Sequence, residues 1–413
     1  MRKAKMRLTA IPAVGLLALS LTACGGPSGN GNGTGNETGG AATSLRVVDY
    51  YNNEPDKTTY QEALEKCGAE IGVKIERESI PGSDLIAKVL QMSSSKTLPD
   101  VLMLDNPDMA QIAATGALTP LADLGLSADG MVQGVVDAST YDGKLYGLQP
   151  ITNSIALYYN VDVLEKAGVA VPTTWDELKA AAATLTEGSQ YGLAFSAPAN
   201  YEGTWQFLPF MWSNGVNEDN LNTPQMAEAI QLWVDLVHDG SVSESVVNWT
   251  QGDVNDQFMN GNAAMMINGP WQHPLLNGVE GLNWAVAPIP TPKAGEDAIS
   301  PLGGETWTVP VNKDAAKAEA AGKLVACLNT DEMQLELALK RDTVPTKLSV
   351  MDEFVKQNPA MESYTTVVKS ARARTGILGA DWPTAATKIY EAMQLALVGG
   401  QTPQQALDQV VGK

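Results

Sequence analysis

Histidine is almost missing from this 413-residue chain, which has only His238 and His273, and cysteine occurs three times, at Cys24, Cys67 and Cys327. His238 lies in an amphipathic helical pattern, and His273 follows Trp271-Gln272 with no Ser or Asp constellation beside it. Nucleophile–histidine catalysis therefore has little material. There is no zinc-ligand spacing, no phosphate-binding Gly-rich loop and no cysteine-nucleophile pattern, so no metal and no cofactor is implied. Basic residues are scarce too: 27 Lys and Arg stand against 47 Asp and Glu, for a net charge of −20. Nucleic acid and anionic lipid are poor partners for such a chain, and the acidity otherwise serves solubility. Beyond the first two dozen residues no apolar run approaches the length needed to span a bilayer, and no internal repeat is visible. Phenylalanine is rare as well, at five, yet there are nine Trp.

At the N-terminus, Arg2, Lys3, Lys5 and Arg7 precede an apolar run over 8–19 and then Leu21-Thr22-Ala23-Cys24. The segment is too short for a spanning helix and reads as an export signal. Its end resembles the lipobox of bacterial lipoproteins. That resemblance implies a signal peptide over 1–23, cleavage before Cys24, and lipidation of Cys24, hence an anchor on the extracytoplasmic face of the cell membrane. Residues 24–44 are mostly Gly, Asn, Ser, Thr and Ala and read as a flexible linker, its ends on the order of 25 Å apart. About 370 residues follow, comfortable for two cores. Of the remaining thiols, Cys67 shares an apolar helical stripe with Tyr60, Leu64 and Ile71, and Cys327 with Ala320, Leu324 and Leu328. Exported thiols are commonly paired, whereas positions on apolar stripes equally suit buried free thiols; both readings stand.

From Leu45 onward short β-rich runs alternate with helical patterns. Strands are predicted over 45–51, 73–80 and 101–104, with helices over 58–71 and 83–94 and a third running through Ala113 to stop at Gly116. A second series begins near Ile155. Thr174 to Glu177 forms a capping box, Thr223-Pro224 opens a helix, Gly399-Gly400 ends one, and Thr402 to Gln405 caps the last. This alternation indicates layered α/β structure with largely parallel sheets.

Three stretches carry more specific information. They are Leu157-Tyr158-Tyr159-Asn160 running through Gly168 into Pro172-Thr173-Thr174-Trp175; Gly261-Asn262-Ala263-Ala264-Met265-Met266-Ile267-Asn268-Gly269-Pro270-Trp271; and Pro301-Leu302-Gly303-Gly304-Glu305-Thr306-Trp307, with Leu98-Pro99-Asp100-Val101 upstream. In this order they resemble the extracellular solute-binding proteins of carbohydrate ABC importers, the group that contains maltose-binding protein. The resemblance implies a two-lobed, type II periplasmic-binding-protein-like α/β fold, each lobe a mixed, mainly parallel sheet flanked by helices, with the ligand in the interlobe cleft. Lobe one would comprise 45–152 plus 306–352, and lobe two 153–305 plus 353–413. Both cysteine-bearing helices would then fall in lobe one, favouring a Cys67–Cys327 disulfide. The implied role is non-enzymatic: capture of a di- or oligosaccharide outside the membrane and its delivery to ABC permease subunits, by a monomer.

Sugars present C–H faces and rings of hydroxyls, so their sites need aromatic platforms and bidentate polar side chains. Trp271, at a Gly-Pro turn after a strand, can project into a cleft, and the family places an aromatic there under the sugar; the alternative is a core Trp. Gly304 lets the backbone approach a ligand and Glu305 can accept two hydroxyl protons. Trp307 divides between the site and a buried strand with Val309 and Val311. Tyr201, Glu202 and Trp205 group in an expected loop, Trp205 alternatively opening a helix core. Asp105 and Asn106 stand at a strand's carboxyl end, where ligands sit in such folds; Asp105 can instead cap the following helix. Tyr51 and Asn52 follow the same logic after the first strand. Asn153 lies on a crossing segment, and Arg374 resembles a family stretch beside the cleft. Alternatives of another class are a secreted glycosidase using Asp105, Glu202 and Glu305, and a same-fold binder of a polyol or peptide.

Overall fold

The structure, a computed structural model, describes residues 41–412. The export segment, Cys24 and the linker up to residue 40 lie outside the described residues.

Two sheets flanked by helices organise the chain. The first has the strand order Lys74–Ser79, Ser44–Asp49, Val101–Asp105, Glu305–Thr308, Gly147–Leu148; the second has Trp284–Ala287, Ala156–Asn160, Ala263–Asn268, Tyr191–Ala194. Val101 to Leu104 is apolar throughout because helices cover both faces of that central strand, whereas Lys74–Ser79 has no buried residue, as an edge strand allows. The capping boxes at Thr174–Glu177 and Thr402–Gln405 and the cap at Thr223 all form where the sequence placed them.

Both sheets are mixed, but parallel pairing does not dominate. Ser44–Asp49 runs parallel to both its neighbours, while Glu305–Thr308 is antiparallel to Val101–Asp105 and to Gly147–Leu148. In the second sheet only Ala263–Asn268 with Tyr191–Ala194 is parallel. The physical reason is the return of distant chain: Glu305–Thr308 enters the first sheet from the second and must run against the strands already there.

That return is made through a narrow bundle of extended segments. Gly303 N–H donates to the Asn153 carbonyl (2.9 Å), Leu302 N–H to Arg372 (2.8 Å) and Arg372 N–H to Ser300 (3.0 Å). Gln149 Nε2 (2.9 Å) and Thr152 Oγ1 (2.7 Å) both donate to the Gly303 carbonyl. Three separate stretches, 149–154, 300–304 and 371–374, are thus laced together, satisfying backbone groups that would otherwise be buried without partners.

Trp307 belongs to the core. It is 0% exposed, packs near the Tyr60 ring and does not line the cleft described below; Val309, just past the strand, is buried with it, whereas Val311 is 62% exposed, so the expected buried run stops short of Val311. Cys67, on the helix Asp56–Ile71, and Cys327, on Ala315–Leu328, are joined by a disulfide with their Cα atoms 5.7 Å apart. Because the bridge closes a loop of 260 residues, its loss should free a large unfolded ensemble. Replacing both cysteines by serine is expected to lower unfolding free energy by about 2–5 kcal/mol, read as a lower denaturant midpoint with an unchanged far-UV spectrum; an unshifted midpoint would refute this.

Candidate functional site

Side chains from both sheets line a cavity of about 720 Å³. On the first sheet's side its wall begins at the end of the first strand. Asp49 is fully buried there and takes Arg77 Nε at 2.6 Å, Ser79 Oγ at 2.9 Å and the Tyr51 N–H at 2.9 Å. A carboxylate held this way fixes the turn that follows, and Tyr50, Tyr51 and Asn52 project from it onto the cavity wall.

Glu305 pairs in register with Asp105, so the two acids emerge side by side at one sheet edge. Tyr50 Oη donates to Glu305 Oε1. Arg341, at the end of the helix Asp331–Arg341, stands 3.9 Å from the other Glu305 oxygen and binds Asp56 through two hydrogen bonds of 2.8 and 2.7 Å. Its Nη1 donates to Tyr60 Oη at 3.2 Å, and its guanidinium lies 4.8 Å from the Tyr51 ring centre, Tyr51 itself stacking on Tyr60 at 3.8 Å. Burial pushes the Glu305 carboxyl above its ordinary range, opposed by Arg341 and the Tyr50 hydroxyl; burial and then Glu305 drive the Tyr50 hydroxyl upward as well.

Asp105 occupies the N-cap position of the helix Asn106–Ala114 but makes no capping hydrogen bond. Its carboxylate is taken by Arg374 at 3.0 and 2.6 Å in a forked pair, and Arg374 also donates to Asn106 Oδ1 at 3.0 Å. The same guanidinium lies 4.6 Å from the Trp205 ring centre, so it touches elements of both sheets. Asn106 is buried behind the wall, its Nδ2 turned to the Leu302 carbonyl; it positions Arg374 and does not face the cavity, which corrects its expected role.

On the second sheet's side, Tyr201, Glu202 and Trp205 lie on the helix Tyr201–Ser213 and not in a loop. The helix starts early because the Asn200 side chain caps it, accepting from Glu202 N–H at 2.9 Å. Trp205 is 7% exposed and serves core and cavity wall at once. Glu202 accepts the Gln251 N–H at 2.5 Å, and burial raises its carboxyl, with that hydrogen bond opposing. Trp271 follows Ala263–Asn268 on a short turn and is partly exposed to the cavity. A Cβ at Gly269 would fall 2.0 Å from the Trp271 ring, so glycine is what lets the indole fold back over its own backbone.

The structure thus brings Tyr51, Asn52, Asp105, Asn153, Tyr201, Glu202, Trp205, Trp271, Gly304, Glu305 and Arg374 to one cavity, and excludes Asn106 and Trp307. Sequence reasoning missed Tyr50, Asp56, Asp108 and Arg341. Asp108 is 8% exposed, lines the cavity, and leaves its buried Oδ1 without a hydrogen bond. Burial, then the neighbouring Asp105, pushes its pKa up to about 7, with Arg374 opposing.

Two α/β lobes sharing one cleft, with fork-shaped hydrogen-bond partners and ring faces on its walls, define a receptor for a small polar solute. The sequence model of the bacterial extracellular solute-binding proteins matches residues 62–363, and the chain belongs to that family. Among its relatives is the maltooligosaccharide ABC transporter solute-binding lipoprotein of Streptococcus pneumoniae, 24% identical over 94% of this chain and 92% of its own. The GacH receptor of Streptomyces glaucescens, solved unliganded and with acarbose, superposes with a TM-score of 0.77 at 26% identity, over 90% of this chain and 96% of its own. The cyclic alpha-maltosyl-1,6-maltose binding protein from Arthrobacter globiformis gives 0.74 at 26%, over 90% and 98%.

The raised Asp108 pKa has a signed consequence for stability. A carboxyl whose folded pKa lies above its unfolded value favours folding most below about pH 4, and that contribution is lost as pH climbs through about 7. Asp108→Asn is therefore expected to stabilise the protein at pH 8, by an amount on the order of a few kcal/mol, and to change it little at pH 4. Thermal melts of parent and variant across pH 4–8 check this; equal shifts at both ends would contradict it.

Proposed function

We propose that the protein captures a carbohydrate, a di- or oligosaccharide, outside the membrane and delivers it to the permease subunits of an ABC importer by closing its lobes on the ligand. The observation that carries this is the composition of the cavity described above. Trp271, Trp205 and Tyr201 bring ring faces from the second sheet's side, and Asp105, Glu305 and Arg341 bring forked hydrogen-bonding groups from the first sheet's side. Ring faces match pyranose C–H patches, and the forked groups match vicinal hydroxyls. The ligands of these relatives, maltooligosaccharide and acarbose among them, support the same class.

Lobe one is assigned to 45–152 with 306–352, and lobe two to 153–305 with 353–413. Closure matters because the importer must distinguish loaded from empty receptor, and only a ligand with higher affinity for the closed form shifts that equilibrium. The protein acts as a monomer without catalysis, tethered by lipid on Cys24, with residues 24–44 as leash. Against hydrolysis, Asp105 and Glu305 sit on paired positions of adjacent strands, one wall of the cleft, and Asp105 is neutralised by Arg374. Incubation with oligosaccharides should yield no cleavage products.

A thermal-shift screen of mono-, di- and oligosaccharides would identify the ligand, since binding to the folded state raises its melting temperature. With that ligand, Trp271→Ala should weaken affinity at least about a hundredfold, a few kcal/mol of lost stacking, while circular dichroism stays unchanged. Binding within about threefold of the parent would remove Trp271 from the site. Cells fed a clickable fatty acid should label the parent and not Cys24→Ser; label persisting in the variant would sink the anchor.

A further inference from the structure

The charges around the cavity do not balance. Five carboxyl groups line it against two guanidinium groups, and no lysine or histidine contributes to its wall. Both guanidinium groups are already committed: Arg341 is forked onto Asp56 and Arg374 onto Asp105. Of the three acids left over, Glu305 accepts from Tyr50, and Glu202 accepts from the Gln251 backbone. Asp108 Oδ1 accepts nothing. The residue is more than nine-tenths buried on the first turn of Asn106–Ala114, with Asp105 near it on its own lobe and Arg374 and Tyr201 near it from the other.

A buried carboxyl without a hydrogen bond is costly to the empty protein, and one that is also short of a cation is costlier. A neutral sugar hydroxyl can meet the carboxyl in either protonation state, whereas the ionised carboxyl still lacks a cation. A protonated amine would supply both the N–H donors and the missing positive charge. The chain's net charge of −20 also favours the arrival of a cation at this cleft.

We propose that the saccharide bound here carries a basic nitrogen, as an amino sugar or an amine-bearing oligosaccharide, and that Asp108 is its counter-ion. The inference rests on the saccharide reading above and narrows its ligand class. The test is a panel of matched pairs at pH 7: glucose with glucosamine, galactose with galactosamine, maltotriose with its 6-amino-6-deoxy derivative, and N-acetylated chito-oligosaccharides with their free-amine forms. In at least one pair the amine should bind at least tenfold tighter by titration calorimetry. Asp108→Asn should shrink that gap below threefold, whereas Asp108→Glu should keep the preference. The proposal is overturned if the neutral member binds as tightly as the amine in every pair where either binds, or if the gap survives Asp108→Asn. Silence from every member of every pair would instead overturn the saccharide reading, and this inference with it.

Discussion

The hydrogen bonds that meet at Gly303 are the constraint on which the rest of the molecule depends. Its carbonyl receives two side-chain donors and its N–H is spent on Asn153, which holds 149–153 against it, and its neighbours Leu302 and Ser300 hold Arg372 alongside, so three chain stretches meet at one crossing. The backbone there is closely approached: at Gly304, with φ of +111°, a Cβ would lie 2.2 Å from Gln149 Nε2. Only glycine tolerates that conformation and that contact together. The polar wall of the cleft hangs from this crossing. Glu305 is the next residue along, Asn153 is one of the laced partners, and Arg374 follows two residues after Arg372. A change at the crossing would therefore move the walls of the cleft as a set.

Two forked arginine pairs give the cleft its rigidity. A buried ion pair gains little net stability once desolvation is counted, but it holds both partners in one geometry. Arg374 ties the Asp105 strand end to the Trp205 ring, and Arg341 ties Asp56 to the stacked Tyr51 and Tyr60. The acceptors a solute would meet are thus largely oriented beforehand, which lowers the ordering cost of binding.

Much of this was legible in the sequence, and the gaps have physical causes. Tyr51 and Asp105 could be found because strand ends at a sheet edge face the cleft in α/β folds, Glu305 because it follows a glycine pair that lets backbone approach a ligand, and Trp271 because a Gly-Pro turn ejects the side chain after it. Trp307 has the same residue type and the same proximity to glycines, yet it is core: alternation within a strand decides its direction, and composition does not. Asp56 and Arg341 escaped notice because each reads locally as an ordinary helix-end charge, and their pairing joins chain 285 residues apart. Asp108 looked like one more acid in a helix's first turn. The antiparallel entry of Glu305–Thr308 could not be read from hydrophobic pattern, which records burial and is blind to direction.

The strand order of the first sheet carries a consequence for how the protein comes into being. Its fourth strand, Glu305–Thr308, separates Gly147–Leu148 from Val101–Asp105, so the sheet lacks its link until the chain beyond residue 308 is available. The second sheet draws all its strands from a continuous stretch between Ala156 and Ala287. As a polypeptide emerges from its N-terminus, the second sheet can pair all its strands first, although the helices Trp382–Leu397 and Pro403–Val410 that complete its core come last, while the earlier segment waits with a gap in its sheet and Cys67 without its partner. Birth order and the order of sheet pairing are reversed, and whatever shields the waiting half must act across more than a hundred residues of further synthesis or export.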